Sequence, residues 1–71
     1  MTETICIKLS KRIKNLREER GLTQEELAAM ANISTKYLQN LEGKNPKTAS
    51  IITLEKLAKA FKLSISKLLH F

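Results

Sequence analysis

Residues 23–42, TQEELAAMANISTKYLQNLE, decide how this chain folds. Thr23 followed three residues later by Glu26 is a capping box, in which the hydroxyl accepts from a backbone N–H that has no partner inside the helix. The helix it opens places Leu27, Ala28 and Ala31 along one face. Asn32 breaks that pattern, and asparagine tolerates the left-handed backbone a sharp turn needs. Ile33 returns an apolar side chain toward the core, and Ser34 can cap a second helix. That helix buries Leu38 and Leu41 and turns Thr35, Lys36, Gln39 and Asn40 outward, until Gly43 stops it.

Two short helices joined by a tight turn, the second with a polar outer face, have the form of a helix-turn-helix. The sequence at these positions resembles the lambda-repressor-like family, the Cro-repressor or xenobiotic-response-element group. The resemblance rests on GLTQEELA at residues 21–28, the turn, and then Ile33-Ser34, Leu38 and Glu42 at their mutual spacing. It extends over about residues 7–69, nearly the whole chain, and combines several spaced features, any one of which alone would be weak. It implies an all-α fold, a compact five-helix domain.

Size and composition agree with that class. The 71 residues suffice for one domain, 1–71, with a small core and a narrow stability margin. Trp is absent and Phe scarce, so Leu, Ile and Ala must do most of the packing, and no run of alternating strands is present. The single cysteine, Cys6, excludes an internal disulfide and with a lone His70 cannot make a metal site; Cys6 reads as a small apolar residue, His70 as solvated tail. A reducing, cytoplasmic setting is expected, since no stretch has signal-peptide or membrane-spanning length.

The formal net charge is +6, a balance that favours a polyanionic partner. Its distribution is uneven. Residues 1–22 hold Lys8, Lys11, Arg12, Lys14, Arg17 and Arg20 against Glu3, Glu18 and Glu19. Residues 23–42 hold only Lys36 against Glu25, Glu26 and Glu42. Residues 43–71 hold six lysines against Glu55. The two-helix motif is itself acidic, so attraction to phosphates must come largely from its flanks.

Outside the motif, residues 1–4 read as a frayed end and a first helix is expected over about residues 5–20. Leu9, Ile13 and Leu16 share a face that Ile5 extends backward. Gly21 supplies a left-handed stop, and Leu22 staples the next helix to the core. Ser50 caps a fourth helix, 51 to about 62, with an apolar stripe of Ile51, Leu54, Leu57, Ala58 and Phe61. Lys62 stands where the family commonly has glycine; a left-handed backbone there costs on the order of 1 kcal/mol. Ser64 caps a short fifth helix over residues 65–69. The connection 43–49, GKNPKTA, departs from the family pattern by an apparent insertion of about three residues, which leaves its path open.

The residues lack the convergent groups of an enzyme: no second His or Cys, no phosphate-cradling glycine loop, and Glu25 and Glu26 pointing different ways on a helix. DNA makes better use of them. A helix fits the major groove, and its first turn approaches the bases. Lys36 can donate to guanine, Asn40 can pair with adenine, Thr35 can bond or set its methyl against thymine, and Gln39 lies between them, facing base or backbone. Ser34 is chiefly a cap that can also touch the backbone. Tyr37 can pack its ring at the rim and send its hydroxyl to a phosphate, and Lys44, Asn45 and Lys47 suit phosphates. The resemblance adds Gln24 as a phosphate contact that braces helix 3, and an ion pair of Arg17 with Glu42. It further implies a transcriptional regulator that needs no cofactor or small-molecule ligand and binds double-stranded DNA as a homodimer on two half-sites. Leu63, Leu68, Leu69 and Phe71 are many apolar residues for so short a stretch; some must close the small core, with Ile65 expected to point inward, and the remainder would form the dimer contact. The alternative that stays open is a protein-interaction module, an antitoxin or adaptor, on the same fold.

Overall fold

A computed structural model describes residues 5–43 and 49–71. Within them lie α1 (Ile5–Glu19), α2 (Gln24–Ala31), α3 (Thr35–Glu42), α4 (Ile51–Ala60) and α5 (Ile65–Leu68). The architecture is all-helical, with five helices among the described residues, as the sequence predicts. α2 packs against both α3 and α4, α1 packs against α3, and α5 folds back onto α4.

Local chemistry sets the helix starts. Thr23, Ser34, Ser50 and Ser64 each hold an extended backbone and accept with the side-chain oxygen from the N–H three residues on. Each thereby satisfies a donor that the first helical turn leaves without a partner. At Thr23 the box is reciprocal: Glu26 N–H donates to Thr23 Oγ1 at 3.1 Å, and Thr23 N–H to Glu26 Oε1 at 2.8 Å.

Three helix ends use one device. At Gly21, Asn32 and Lys62 the backbone is left-handed, with φ of 65°, 56° and 58°. Behind each, the next N–H reaches back five residues: Leu22 to Arg17 O at 3.1 Å, Ile33 to Ala28 O at 2.9 Å, Leu63 to Ala58 O at 2.8 Å. These are Schellman turns, which satisfy the last carbonyls and reverse the chain. Gly43 differs. It ends α3 with an extended backbone, and its N–H donates to Asn40 O at 3.3 Å.

The core comprises Ile13 and Leu16 of α1, Leu27, Ala28 and Ala31 of α2, Leu38 and Leu41 of α3, Leu57 and Ala58 of α4, with Phe61 and Leu68. Two expectations need correction. Ile51 does not join the buried stripe of α4, being 67% exposed, and Ile5 does not extend the buried face of α1, being 69% exposed. Both sit at the first position of their helix, beyond the reach of the core. In α4 burial begins at Thr53, whose hydroxyl stands 3.0 Å from Ser50 Oγ and 3.4 Å from the Tyr37 hydroxyl. α4 also stops earlier than expected, at Ala60, because the turn through Lys62 begins there. The frayed end expected at residues 1–4 and the loop contacts of Lys44, Asn45 and Lys47 lie outside the described residues.

Candidate nucleic-acid interface

The outer side of α3 is the candidate surface. Lys36, Gln39 and Asn40 are exposed and Thr35 is half-buried. Leu38 and Leu41 on the opposite side are sealed in the core. No hydrogen bond ties the side chains of Lys36, Gln39 or Asn40 to another described residue, so their donors and acceptors are open to an incoming partner.

What holds this helix in place is polar as well as apolar. The Arg17 guanidinium meets the Glu42 carboxylate side-on, with Nε to Oε2 at 2.9 Å and Nη2 to Oε1 at 3.0 Å. Arg17 Nη1 also donates to Leu22 O at 2.9 Å, and Gln24 Nε2 donates to Glu42 Oε1 at 3.2 Å. Glu42 is thus clamped from α1 and from the start of α2, and its side chain is only 3% exposed, against 13% for Arg17. The Glu42 hydrogen bond holds the guanidinium above its ordinary pKa, with burial opposing and the charges of Glu42 and Glu18 adding to it. A pKa raised in the folded state adds stability wherever the arginine is charged and loses it only as pH rises through the strongly alkaline range.

The remaining expected contacts are distributed around this helix. Ser34 caps α3, accepting from Tyr37 N–H at 3.0 Å. Gln24 is half-buried at the first position of α2. Tyr37 is turned away from the outer face: it is half-buried against the core, and its hydroxyl faces Thr53 of α4. That placement departs from a hydroxyl reaching outward to a phosphate, because Thr53 offers it a partner inside the protein.

Two arginines counted as flanking charge have inward tasks. Arg12 donates from Nε to Leu68 O at 3.2 Å and from Nη2 to Lys67 O at 2.9 Å, so it holds the end of α5. Arg20 donates to Phe61 O at 3.1 Å with its guanidinium 5.0 Å above the Phe61 ring, so it holds the end of α4. With Arg17, all three arginines of the chain, each on or just after α1, fasten other elements to it. A guanidinium suits this use because its planar fork can serve two acceptors at once.

The sequence pattern of the helix-turn-helix family matches residues 13–68. The chain belongs to this family. Among its helix-turn-helix relatives, the HTH-type transcriptional regulator DdrOP3 of Deinococcus deserti is 38% identical over 64 residues, 90% of this chain and 49% of that protein. The immunity repressor protein of Bacillus phage phi105 is 41% identical over 58 residues, 82% of this chain and 40% of that one. This helix-turn-helix chain thus spans about half the length, or less, of these two relatives. Among solved structures, SinR, described as the master regulator for biofilm formation and determined in complex with DNA, superposes with a TM-score of 0.79 at 34% identity, covering 86% of this chain and 97% of that one. The restriction-modification controller protein C.AhdI from Aeromonas hydrophila gives 0.82 at 28% identity, covering 89% and 94%.

Proposed function

We propose that this protein is a sequence-specific double-stranded DNA-binding transcriptional regulator of the cytoplasm, acting as a homodimer on two half-sites, with α3 in the major groove. In this reading Lys36, Gln39, Asn40 and Thr35 meet base edges. Gln24, Ser34, Lys44, Asn45 and Lys47 meet phosphates. The role is occupancy of an operator, without catalysis or cofactor. The observation that carries it is the outer face of α3: an exposed polar row with no internal bonds, on a helix whose other side is buried and whose last residue is clamped. A side chain that must read a base benefits from a rigid base of support. The relatives support the same reading through their names, as regulators and repressors.

The test is binding-site selection from random duplexes, followed by affinity measurements on the selected site. Lys36→Ala and Asn40→Ala are each expected to lose about 1–3 kcal/mol on that site and little on random DNA, the mark of a base contact. Equal losses on both duplexes would remove the base-reading assignment.

A second reading, a protein-binding adaptor, draws on the acidic motif, on an α3 without arginine, and on the inward use of Arg12, Arg17 and Arg20. Binding to every duplex that is weak and insensitive to salt would favour it, since phosphate contacts make affinity fall steeply as salt rises.

A further inference from the structure

The stripe of α1 that faces the end of α3 carries three polar residues at offsets of four and three: Ser10, Lys14 and Arg17. Residues so spaced share one side of a helix. The outer two reach α3. The Ser10 hydroxyl donates to Gly43 O at 3.4 Å, and Arg17 binds Glu42. Lys14, between them, is exposed. It lines a groove of about 300 Å³ whose other walls are Ile7, Ser10, Lys11, Glu42 and Gly43.

The charge at this place is informative. The C-terminal end of a helix carries partial negative charge, which disfavours a nearby phosphate. α3 has no basic residue in its last turn to offset it, and Arg17 is committed to Glu42. Among the described residues, a DNA strand passing the end of α3 would therefore meet positive charge only from another element. Lys14 stands at that end and reaches it from α1.

We infer that Lys14 is a phosphate-contacting residue, binding the DNA backbone beside the C-terminal end of α3 through the groove between α1 and α3. The inference rests on the DNA-binding reading above and adds to it a contact from α1. Lysine suits the role as a flexible point charge, and its contact carries no sequence information.

The experiment is affinity against salt concentration for the wild type, Lys14→Gln, Lys14→Arg and Lys59→Gln, each on the selected site and on random duplex. Each phosphate contact adds about 0.9 to the slope of log affinity on log salt. Lys14→Gln is expected to lower that slope by about 0.9 per protomer, about 1.8 for the homodimer, equally on both duplexes; between 50 and 200 mM salt this makes its affinity fall by about 12-fold less than the wild type's. Lys14→Arg should keep the full slope. Lys59→Gln removes the same charge from an exposed site on α4, outside the groove, and should change the slope far less. An unchanged slope in Lys14→Gln, or an equal drop in Lys59→Gln, overturns the contact while leaving DNA binding intact. A wild type that binds no duplex overturns the DNA-binding reading itself, and this contact with it. Thermal melts of the variants guard against misfolding, and Lys14 contributes no bond to the fold whose loss should move them.

Discussion

Glu42 ties the end of α3 to α1 and to the start of α2. A nearly buried carboxylate is tolerable here because Arg17 and Gln24 supply its hydrogen bonds. Removing one partner of such a pair leaves a charge without compensation, at a cost of about 3 kcal/mol or more. A domain of this length has about 4–10 kcal/mol in all. Arg17→Ala is therefore expected to lose about 3 kcal/mol in urea titration, a large share of the total, and Arg17→Lys to recover only part, since an ammonium cannot span Glu42 and Leu22 O as the planar fork does. A loss under 1 kcal/mol would put the pair in the class of solvated surface bridges. The pair was legible in the sequence through the family resemblance alone, because charge by itself could not pick Arg17 from six basic residues. Arg12 and Arg20 were not legible. Their acceptors are backbone carbonyls, which every residue has, at separations of 41 to 56 positions.

The helix starts could be read from the sequence because capping is local: a Ser or Thr oxygen meets an N–H three residues ahead, and both lie in the same short stretch. All four caps stand where the hydroxyl residues predict them. The inner faces were legible by period, but period does not say where the core ends. Ile51 and Ile5 have the right spacing and the wrong depth, while Thr53, polar by composition, is buried with partners on α3 and at the start of α4. The ends of α1, α2 and α4 show the other side of local chemistry. The same turn is built on Gly21, Asn32 and Lys62, and only the last has a side chain poorly suited to a left-handed backbone. Lys62→Gly is expected to stabilise the protein by about 0.5–1 kcal/mol, the relief of backbone strain less the added freedom of the unfolded chain. For a domain of this size that raises Tm by roughly 2–8 °C. Calorimetry decides it, and a lowered Tm would mean that the lysine stem contributes packing that outweighs the strain.

Across the whole molecule, the charge offered to a partner is lysine charge, since the arginines are used to fasten α3, α4 and α5 to α1. One consequence is connection: α1 is tied to α3 by Arg17 and to α5 by Arg12, so the placement of α3 is coupled to that of α5. On the dimer reading this would fix the spacing between two reading helices. The apolar surface suited to such a contact lies where α1, α4 and α5 meet. Ile5 and Leu69 line one cavity with Cys6, Leu9, Ala49 and Leu54. Ile5, Ile51, Ile52, Leu69 and Phe71 are all exposed, whereas Leu68 is sealed in the core and Leu63 packs against it. Leu69→Lys sets a charge in that surface without opening the core, so the monomer should melt as the wild type does. Sedimentation should show weaker self-association. Affinity for a duplex with two half-sites should fall about 10-fold or more, because linking two binding events multiplies their strength, while affinity for a single half-site should hold. If Leu69→Lys weakened both duplexes alike, the residue would be acting on the fold or on DNA directly. If the wild type sedimented as a monomer at high concentration with and without DNA, the apolar surface would need another occupant.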